Sequence, residues 1–180
     1  MKGIALMIAR PQADEYKSFF TGYVERIPQD ADIMAILSSQ PDELSTLLKN
    51  VSDEQANVRP APGEWSIKEV IGHVNDAERI FAYRAMRIAR ADATPLPGFE
   101  QNEYVTATDF NARSLSDLVD EFTFQRRANV LCFKSLTAEE TARRGTAATN
   151  PISARALLYV MGGHVMHHIE SLKTSYKVTA

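Results

Sequence analysis

The chain has 180 residues, of which 44% are hydrophobic and 24% are charged, and its formal net charge is −3. This length and composition suit one ordinary domain with a full-sized core, which excludes a disordered chain and a fibrous repeat. The small negative charge argues against a nucleic-acid groove, and the single cysteine, Cys132, cannot form an internal disulfide, as is typical of a reducing cytoplasm.

Residues 1–30 are predicted to form an N-terminal extension to a main domain at residues 31–180. An apolar stretch at residues 3–9 is short for a signal peptide, and Arg10 and Pro11 follow it where small residues would mark a cleavage site. No later apolar run approaches the ~18 residues that cross a bilayer, so we expect a cytoplasmic protein without membrane contact. A weak helical pattern covers residues 14–26.

Four longer stretches carry apolar residues at helical spacing and are separated by loops that contain Pro or Gly. The first covers about residues 31–50 and includes Pro41, so its continuity stays open. The second extends from Ser66 to about residue 92. It begins with a capping box, in which the side chains of Ser66 and Glu69 can each bond the other's backbone N–H.

The third stretch covers about residues 114–136 and the fourth about residues 153–176. Signals for strands are almost absent. Four helices of about 20 residues would each span about 30 Å, which predicts an all-α four-helix bundle with a short N-terminal helical extension. The connections are long for a simple bundle, and residues 95–99 (PLPGF) in the loop at 92–113 are our candidate lid.

The four histidines of the chain are His73, His164, His167 and His168. Residues four apart on a helix project from nearly the same side, so His164 and His168 can direct two imidazoles at one point, as zinc-binding H-x-x-x-H pairs do. The apolar stripe of the fourth helix includes both of them and leaves His167 toward its edge. His73 lies on the apolar stripe of the second helix and is predicted to point into the bundle.

Three imidazoles in an apolar core would be costly without a shared partner. A divalent metal would bind one nitrogen of each ring and leave an open coordination position for water or a thiolate. Imidazole ligands favour Zn or Ni. Two alternatives stay open: histidines that satisfy one another through water, and a module that binds metal or ligand without catalysis.

Three polar residues are candidates for the surroundings of this site. Asp76, one turn beyond His73, could orient a histidine ring or act as a fourth ligand, and the alternative is a solvated charge. Gln40 and Asn129 interrupt apolar stripes on the first and third helices, so they could line a substrate cavity, and the alternative is a position at the edge of the stripe facing solvent.

Two arginines, the cysteine and the tryptophan also have predicted roles. Arg84 and Arg126 could meet the carboxylate of a ligand, although a solvated arginine is the commoner outcome. Cys132 lies on or beside the apolar side of the third helix and is predicted to pack in the core. Trp65 is predicted to anchor the entry into the second helix.

Two blocks of the sequence resemble the DinB-like (DinB/YfiT-like) metalloenzyme superfamily. Residues 62–73 (PGEWSIKEVIGH) match its G-x-W-S-x-x-E-x-x-x-H signature, and residues 163–170 (GHVMHHIE) are similar to its closing H-x-x-H-H block. Residues 76–84 and 95–99 are similar to longer-chain members. The resemblance extends over roughly residues 30–175, so the main domain at 31–180 is interpreted as a DinB-like domain.

The resemblance implies a four-helix bundle in up-down-down-up order and a divalent metal held by His73, His164 and His168. It also implies small-molecule chemistry, because family members transfer low-molecular-weight thiols or isomerise substrates with mycothiol. We therefore expect a metal-dependent enzyme that either transfers such a thiol to a small electrophile or hydrolyses the electrophile. The nucleophile would be a metal-bound thiolate or a metal-bound water. Bundles often pair through exposed helix faces, so a homodimer is also predicted.

Overall fold

The computed structural model describes residues 7–179, so most of the apolar stretch at residues 3–9 lies outside the described residues. The described chain forms eight α-helices, three short 3-10 helices and one β-hairpin. The α-helices are α1 (Thr21–Arg26), α2 (Ile33–Leu48), α3 (Asp53–Ala56), α4 (Ile67–Ala89), α5 (Gln101–Ala107), α6 (Leu115–Phe133), α7 (Ala138–Ala142) and α8 (Ala154–Thr174). The 3-10 helices are Ala13–Glu15, Ser18–Phe20 and Phe110–Ala112, and the strands are β1 (Arg144–Ala147) and β2 (Asn150–Ser153).

The long helices begin at side chains that satisfy their free backbone N–H groups. At the start of α4, the Ser66 hydroxyl accepts from the Glu69 N–H at 3.2 Å, and the Glu69 carboxylate accepts from the Ser66 N–H at 2.7 Å. This confirms the predicted capping box. Helix α2 continues through Pro41, because Leu37 and Leu44 on either side of it are both buried and hold the helix against the core.

Helices α4 and α6 lie side by side and run in the same direction. Asn75 donates to the carbonyl oxygen of Leu118 at 2.9 Å. Further along both helices, the Glu78 carboxylate accepts two hydrogen bonds from Arg126. The second contact lies further along both helices than the first, so the two helices are parallel.

Helices α2 and α8 form the second parallel pair. Gln40 donates to the carbonyl oxygen of Gly162 at 2.7 Å, and further along both helices Lys173 approaches Glu43 at 3.4 Å. Of this pair, α2 packs against α6 and α8 packs against α4.

The two parallel pairs are antiparallel to each other. The ring of His73, near the start of α4, meets the ring of His168, near the end of α8. The four long helices therefore run up, down, down and up, and the predicted all-α four-helix bundle is confirmed.

A β-hairpin occupies the connection before α8, which the sequence predicts to be free of strands. Strands β1 and β2 pair antiparallel around Ala148 and Thr149, whose φ angles of 48° and 65° are those of a tight hairpin turn. The backbone of Leu96 bonds to the hairpin through Thr146 at 2.9 Å and Ala148 at 3.0 Å. The hairpin therefore fixes the position of the predicted lid.

The N-terminal segment packs directly on the bundle. Val24 and Ile27 are buried in the core beside α8. Helix α1 approaches α8 closely at Gly163, where a Cβ atom would lie 1.9 Å from the backbone oxygen of Tyr23. Glycine at this position is therefore what allows the segment to lie over the histidine-bearing part of α8.

Glu15 and Arg155 join the same N-terminal segment to the start of α8. Arg155 donates to both carboxylate oxygens of Glu15, one of them at 2.8 Å, and the Gln12 N–H donates to the carboxylate at 3.0 Å. Burial raises the pKa of Glu15, but the hydrogen bonds from Arg155, Ser153 and Gln12 outweigh it and lower this pKa to about 2.

This ion pair makes stability depend on pH in the acid range. Because the pKa of Glu15 is lower in the folded chain than its ordinary value of 4.5, its contribution is complete above about pH 4.5 and is lost as the pH falls toward 2. We expect Glu15→Gln to lower the free energy of unfolding by about 2 kcal/mol at pH 7, and by much less at pH 3. Urea unfolding at both pH values measures this, and an equal loss at both would contradict it.

No helix among residues 7–179 combines the length and the hydropathy that crossing a membrane requires. Cys132 is half-buried on α6 and packs beside the hydrophobic core, which agrees with its predicted packing role.

Candidate metal centre

The structure brings three histidine rings together between α4 and α8. The Nε2 atom of His164 lies 3.0 Å from Nε2 of His73 and 3.1 Å from Nε2 of His168. One nitrogen from each ring falls within 4.8 Å of the other two. His73 and His164 are buried and His168 is partly exposed. These are the three residues that the helical stripes select.

This geometry fits a metal ion with three nitrogen ligands. Zn–N bonds of 2.0–2.1 Å at tetrahedral angles place ligand nitrogens roughly 3.3 Å apart, close to the two Nε2 separations at His164. Without a cation, the three Nε2 atoms face one another, and in a neutral imidazole each Nε2 can either donate or accept, but not both. The hydrogen-bonding capacity of the three rings is then poorly satisfied. The donor set therefore suits a divalent ion.

The histidines are held in the neutral form that binds metal. Burial, with a smaller contribution from His167, lowers the pKa of His73 to about 4. Burial also lowers the pKa of His164 and His168 well below the ordinary 6.5. At neutral pH all three rings can offer a lone pair without first losing a proton.

Aromatic side chains enclose the three histidines. The Trp65 ring lies 5.0 Å from the ring of His73, centroid to centroid, so the residue that anchors the start of α4 also covers the site. Tyr23 and Phe81 contact the ring of His164 edge to face at 5.4 and 5.8 Å. These apolar walls fix the rings and reduce the access of water to them.

His167 belongs to a separate group at the edge of α8. Its Nδ1 lies 3.3 Å from a guanidinium nitrogen of Arg26, which also forms an ion pair with Glu170. The side chain is half-buried and lies outside the three-histidine cluster. Its position agrees with the edge placement that the helical stripe predicts.

A cavity of about 420 Å³ opens beside the cluster, and both His73 and His164 line it. Phe99 of the predicted lid lies on its wall, as do Ala147 and Ile152 of the hairpin. One end of this cavity therefore leads to the imidazoles. A small molecule held there could reach an ion bound by them.

The three polar candidates for the surroundings do not line this cavity. Asp76 is half-buried on another face of α4, where burial and Glu121 raise its pKa. Gln40 bonds to the backbone of α8 and accepts from Arg126, and Asn129 donates to Glu78 at 2.8 Å. Gln40 and Asn129 instead satisfy polar groups inside the bundle.

Arg126 is the clearest departure from expectation, because solvated arginine was the favoured alternative for it. The residue is completely buried. Its guanidinium donates to both oxygens of Glu78, at 2.9 and 2.8 Å, and to the amide oxygen of Gln40. The ion pair accounts for its burial, and no charge is left over for a ligand.

Sequence reasoning missed the contribution of the N-terminal segment to the cavity. Lys17, Phe20 and Tyr23 all line it. Their helical signals are weak, and only the close approach at Gly163 brings the segment over the site. In the sequence, only the glycine at position 163 indicates that another segment could approach α8 closely, and it does not indicate which segment.

Comparisons with known proteins agree with this architecture. The model of the DinB superfamily matches residues 36–172. A protein of Geobacillus thermodenitrificans named "Putative metal-dependent hydrolase" is 26% identical over 152 residues, which cover 80% of this chain and 82% of that protein. The residues matched by the superfamily model include all three histidines of the cluster.

Solved structures share the fold at low sequence identity. YfiT from Bacillus subtilis, whose four-helix bundle has an unusual topology, superposes with a TM-score of 0.70 at 14% identity, covering 96% of this chain and 95% of that one. A mycothiol-dependent maleylpyruvate isomerase superposes with a TM-score of 0.67 at 12% identity, covering 87% of this chain and 64% of that one. These similarities establish the bundle topology.

Proposed function

The chain belongs to the DinB superfamily, and from this we propose that it is a divalent-metal-dependent enzyme that hydrolyses a small substrate. The observation that carries the proposal is the convergence of His73, His164 and His168 at one end of an open cavity. The name of the relative from Geobacillus thermodenitrificans supports hydrolysis. Zn or Ni suits three imidazole nitrogens best.

The histidines and the aromatic residues of the site have different roles in the proposed catalysis. His73, His164 and His168 would hold the ion, which when bound acts as a Lewis acid and lowers the pKa of a coordinated water or thiol. Tyr23 and Phe81 keep the imidazole of His164 in place by edge-to-face contact. The aromatic wall also excludes bulk water, which strengthens electrostatic interactions inside the cavity.

Thiol transfer is a second candidate, supported by two observations. The maleylpyruvate isomerase that shares the fold depends on mycothiol, and a cavity of about 420 Å³ is large enough for a low-molecular-weight ligand. Cys132 does not line the cavity, so the thiol would come from a low-molecular-weight cofactor.

Metal analysis of untagged protein, followed by removal and return of the ion, tests the proposal. We expect about one Zn or Ni per chain, loss of ester hydrolysis after chelation, and its return with added metal. Turnover of an electrophile only in the presence of bacillithiol, glutathione or mycothiol would favour thiol transfer instead. Stripped protein that rejects both Zn and Ni would contradict a metalloenzyme of either kind.

The cellular location and the oligomeric state of the enzyme are further parts of the proposal. We propose a cytoplasmic protein, since its one cysteine is unpaired and its net charge is small. Phe124 and Leu131, seven residues apart on α6, are 68% and 61% exposed on one helix face, which favours the predicted homodimer.

A further inference from the structure

Arg84 is a second functional group in the cavity beside the histidines. It lies on α4 eleven residues after His73, so the two side chains leave the helix on nearly the same face and about 16 Å apart along its axis. Both line the cavity. Only 5% of the surface of Arg84 is exposed, which is unusual for a charged side chain.

No carboxylate of residues 7–179 lies within 4 Å of the Arg84 guanidinium. Arg126, the other buried arginine of the described residues, differs because it pairs with Glu78. Burial lowers the pKa of Arg84, which shows the cost of placing its charge there. A buried charge is normally paired, so the missing partner points to a ligand.

The guanidinium is held in place toward the cavity. It donates to the backbone oxygen of Pro97 at 2.5 Å and lies over the Phe99 ring, 5.7 Å from its centroid. Both contacts come from the predicted lid, which the hairpin fixes. A fixed guanidinium loses little freedom when it binds a carboxylate through two parallel hydrogen bonds.

The remaining charges of the cavity also favour an anion. Lys17 supplies a second cation on its wall, and Glu100 is the one carboxylate among its lining residues. The Glu100 side chain is exposed and accepts from the Asn102 N–H at 3.2 Å, where it caps α5. Between the cations and the histidines the wall is aromatic, with Phe81 and Phe99 in edge-to-face contact.

We propose that Arg84 binds the carboxylate of an elongated substrate, whose apolar body lies along Phe81 and Phe99 and whose reactive group reaches the three histidines. The inference rests on the proposed function, because it takes this cavity as the substrate pocket. The carboxylate and the reactive group would be separated by at most about 16 Å, the spacing of Arg84 and His73 along α4. Arg84 thereby determines both the charge and the length of the substrate.

In the test, metal-free protein is titrated with 4-phenylbutyrate and, separately, with the neutral 4-phenyl-1-butanol. The change in NMR chemical shifts of the protein gives the dissociation constant of each probe. We expect the native chain to bind the carboxylate about tenfold more tightly than the alcohol. Arg84→Met should remove this preference and Arg84→Lys should reduce it, because an ammonium cannot form the paired hydrogen bonds. Arg79→Met, an exposed position on the same helix whose arginine pairs with Glu121, is the matched control and should keep the preference.

Equal binding of the two probes, no binding of the carboxylate at millimolar concentration, or a preference that survives in Arg84→Met would overturn the inference. If Arg84→Met does not fold, the comparison is made with Arg84→Lys, and an unchanged preference there overturns it. The titration needs no metal. A chain that rejects Zn and Ni but prefers the carboxylate would therefore contradict the proposed function and still support the role of Arg84.

Discussion

Replacement of His164 by alanine is expected to weaken the binding of Zn or Ni at least roughly 100-fold, a larger effect than changes in residues that only orient ligands. The Nε2 atom of His164 is within 3.1 Å of the Nε2 atoms of both other histidines, so its loss leaves two nitrogens without the one that lies between them. Competition with a chromogenic chelator measures the affinity. The same variant should lose ester hydrolysis if the ion carries the activity.

His167→Ala is the matched control for this experiment. His167 lies on the same helix, three residues away, and its ring packs beside that of His168, but its nitrogen atoms are not part of the three-histidine cluster. Its Nδ1 lies near Arg26 instead, so its removal should leave metal affinity within about twofold. Added metal should raise the melting temperature of the native chain and of His167→Ala, and leave that of His164→Ala unchanged. Comparable metal affinity in all three proteins would mean that the ion binds elsewhere.

The convergence of the histidines could be predicted from sequence because a helix fixes angles. A rotation of 100° per residue places His164 and His168 on one side of α8, and the apolar stripe of α4 includes His73. The bundle order followed from the resemblance, and the start of α4 from the Ser66–Glu69 capping box. In each case a short pattern determines the geometry.

Other parts of the site depend on contacts between distant segments. The hairpin turn at Ala148 and Thr149 has positive φ angles without the Asn or Gly that usually indicates such a turn, so its strands gave no signal. The cover over the cavity depends on a missing side chain at Gly163 and on the backbone of Tyr23, 140 residues earlier in the chain. No periodic pattern reports such a pair.

Polar residues at inward positions were the hardest to interpret. Gln40 and Asn129 interrupt apolar stripes, but a single stripe does not show whether such an amide meets a ligand, another side chain or solvent. Their partners, Glu78 and Arg126, lie on helices whose relative position is known only after folding. Glu78 itself was not recognised, since an acidic residue on a charged stretch of α4 is ordinary in sequence.

The Glu78–Arg126 pair joins all four long helices at the centre of the bundle. Arg126 of α6 bonds to Glu78 of α4 and to Gln40 of α2, and it approaches the backbone oxygen of Met161 on α8 at 3.4 Å. Gln40 completes the network by donating to Gly162, two residues before His164. The network therefore fixes the relative position of α4 and α8, the helices that carry the histidines.

Glu78→Ala is expected to lower the free energy of unfolding by about 3–5 kcal/mol, because it leaves the buried charge of Arg126 without its partner. Part of the population should unfold at physiological temperature, since a domain of this size is stable by only ~5–15 kcal/mol. Urea unfolding followed by circular dichroism measures the loss. Metal affinity should fall together with stability, as the spacing of α4 and α8 relaxes.

Two further variants separate the buried charge from other causes. Asp42→Ala breaks the exposed ion pair with Arg127 and should cost less than about 1 kcal/mol, because solvent screens that pair. The double variant Glu78→Met with Arg126→Met removes both charges and should recover much of the stability lost in Glu78→Ala. If the double variant is as unstable as the single one, packing and the bonds to Gln40 and Asn129, rather than an unpaired charge, explain the loss.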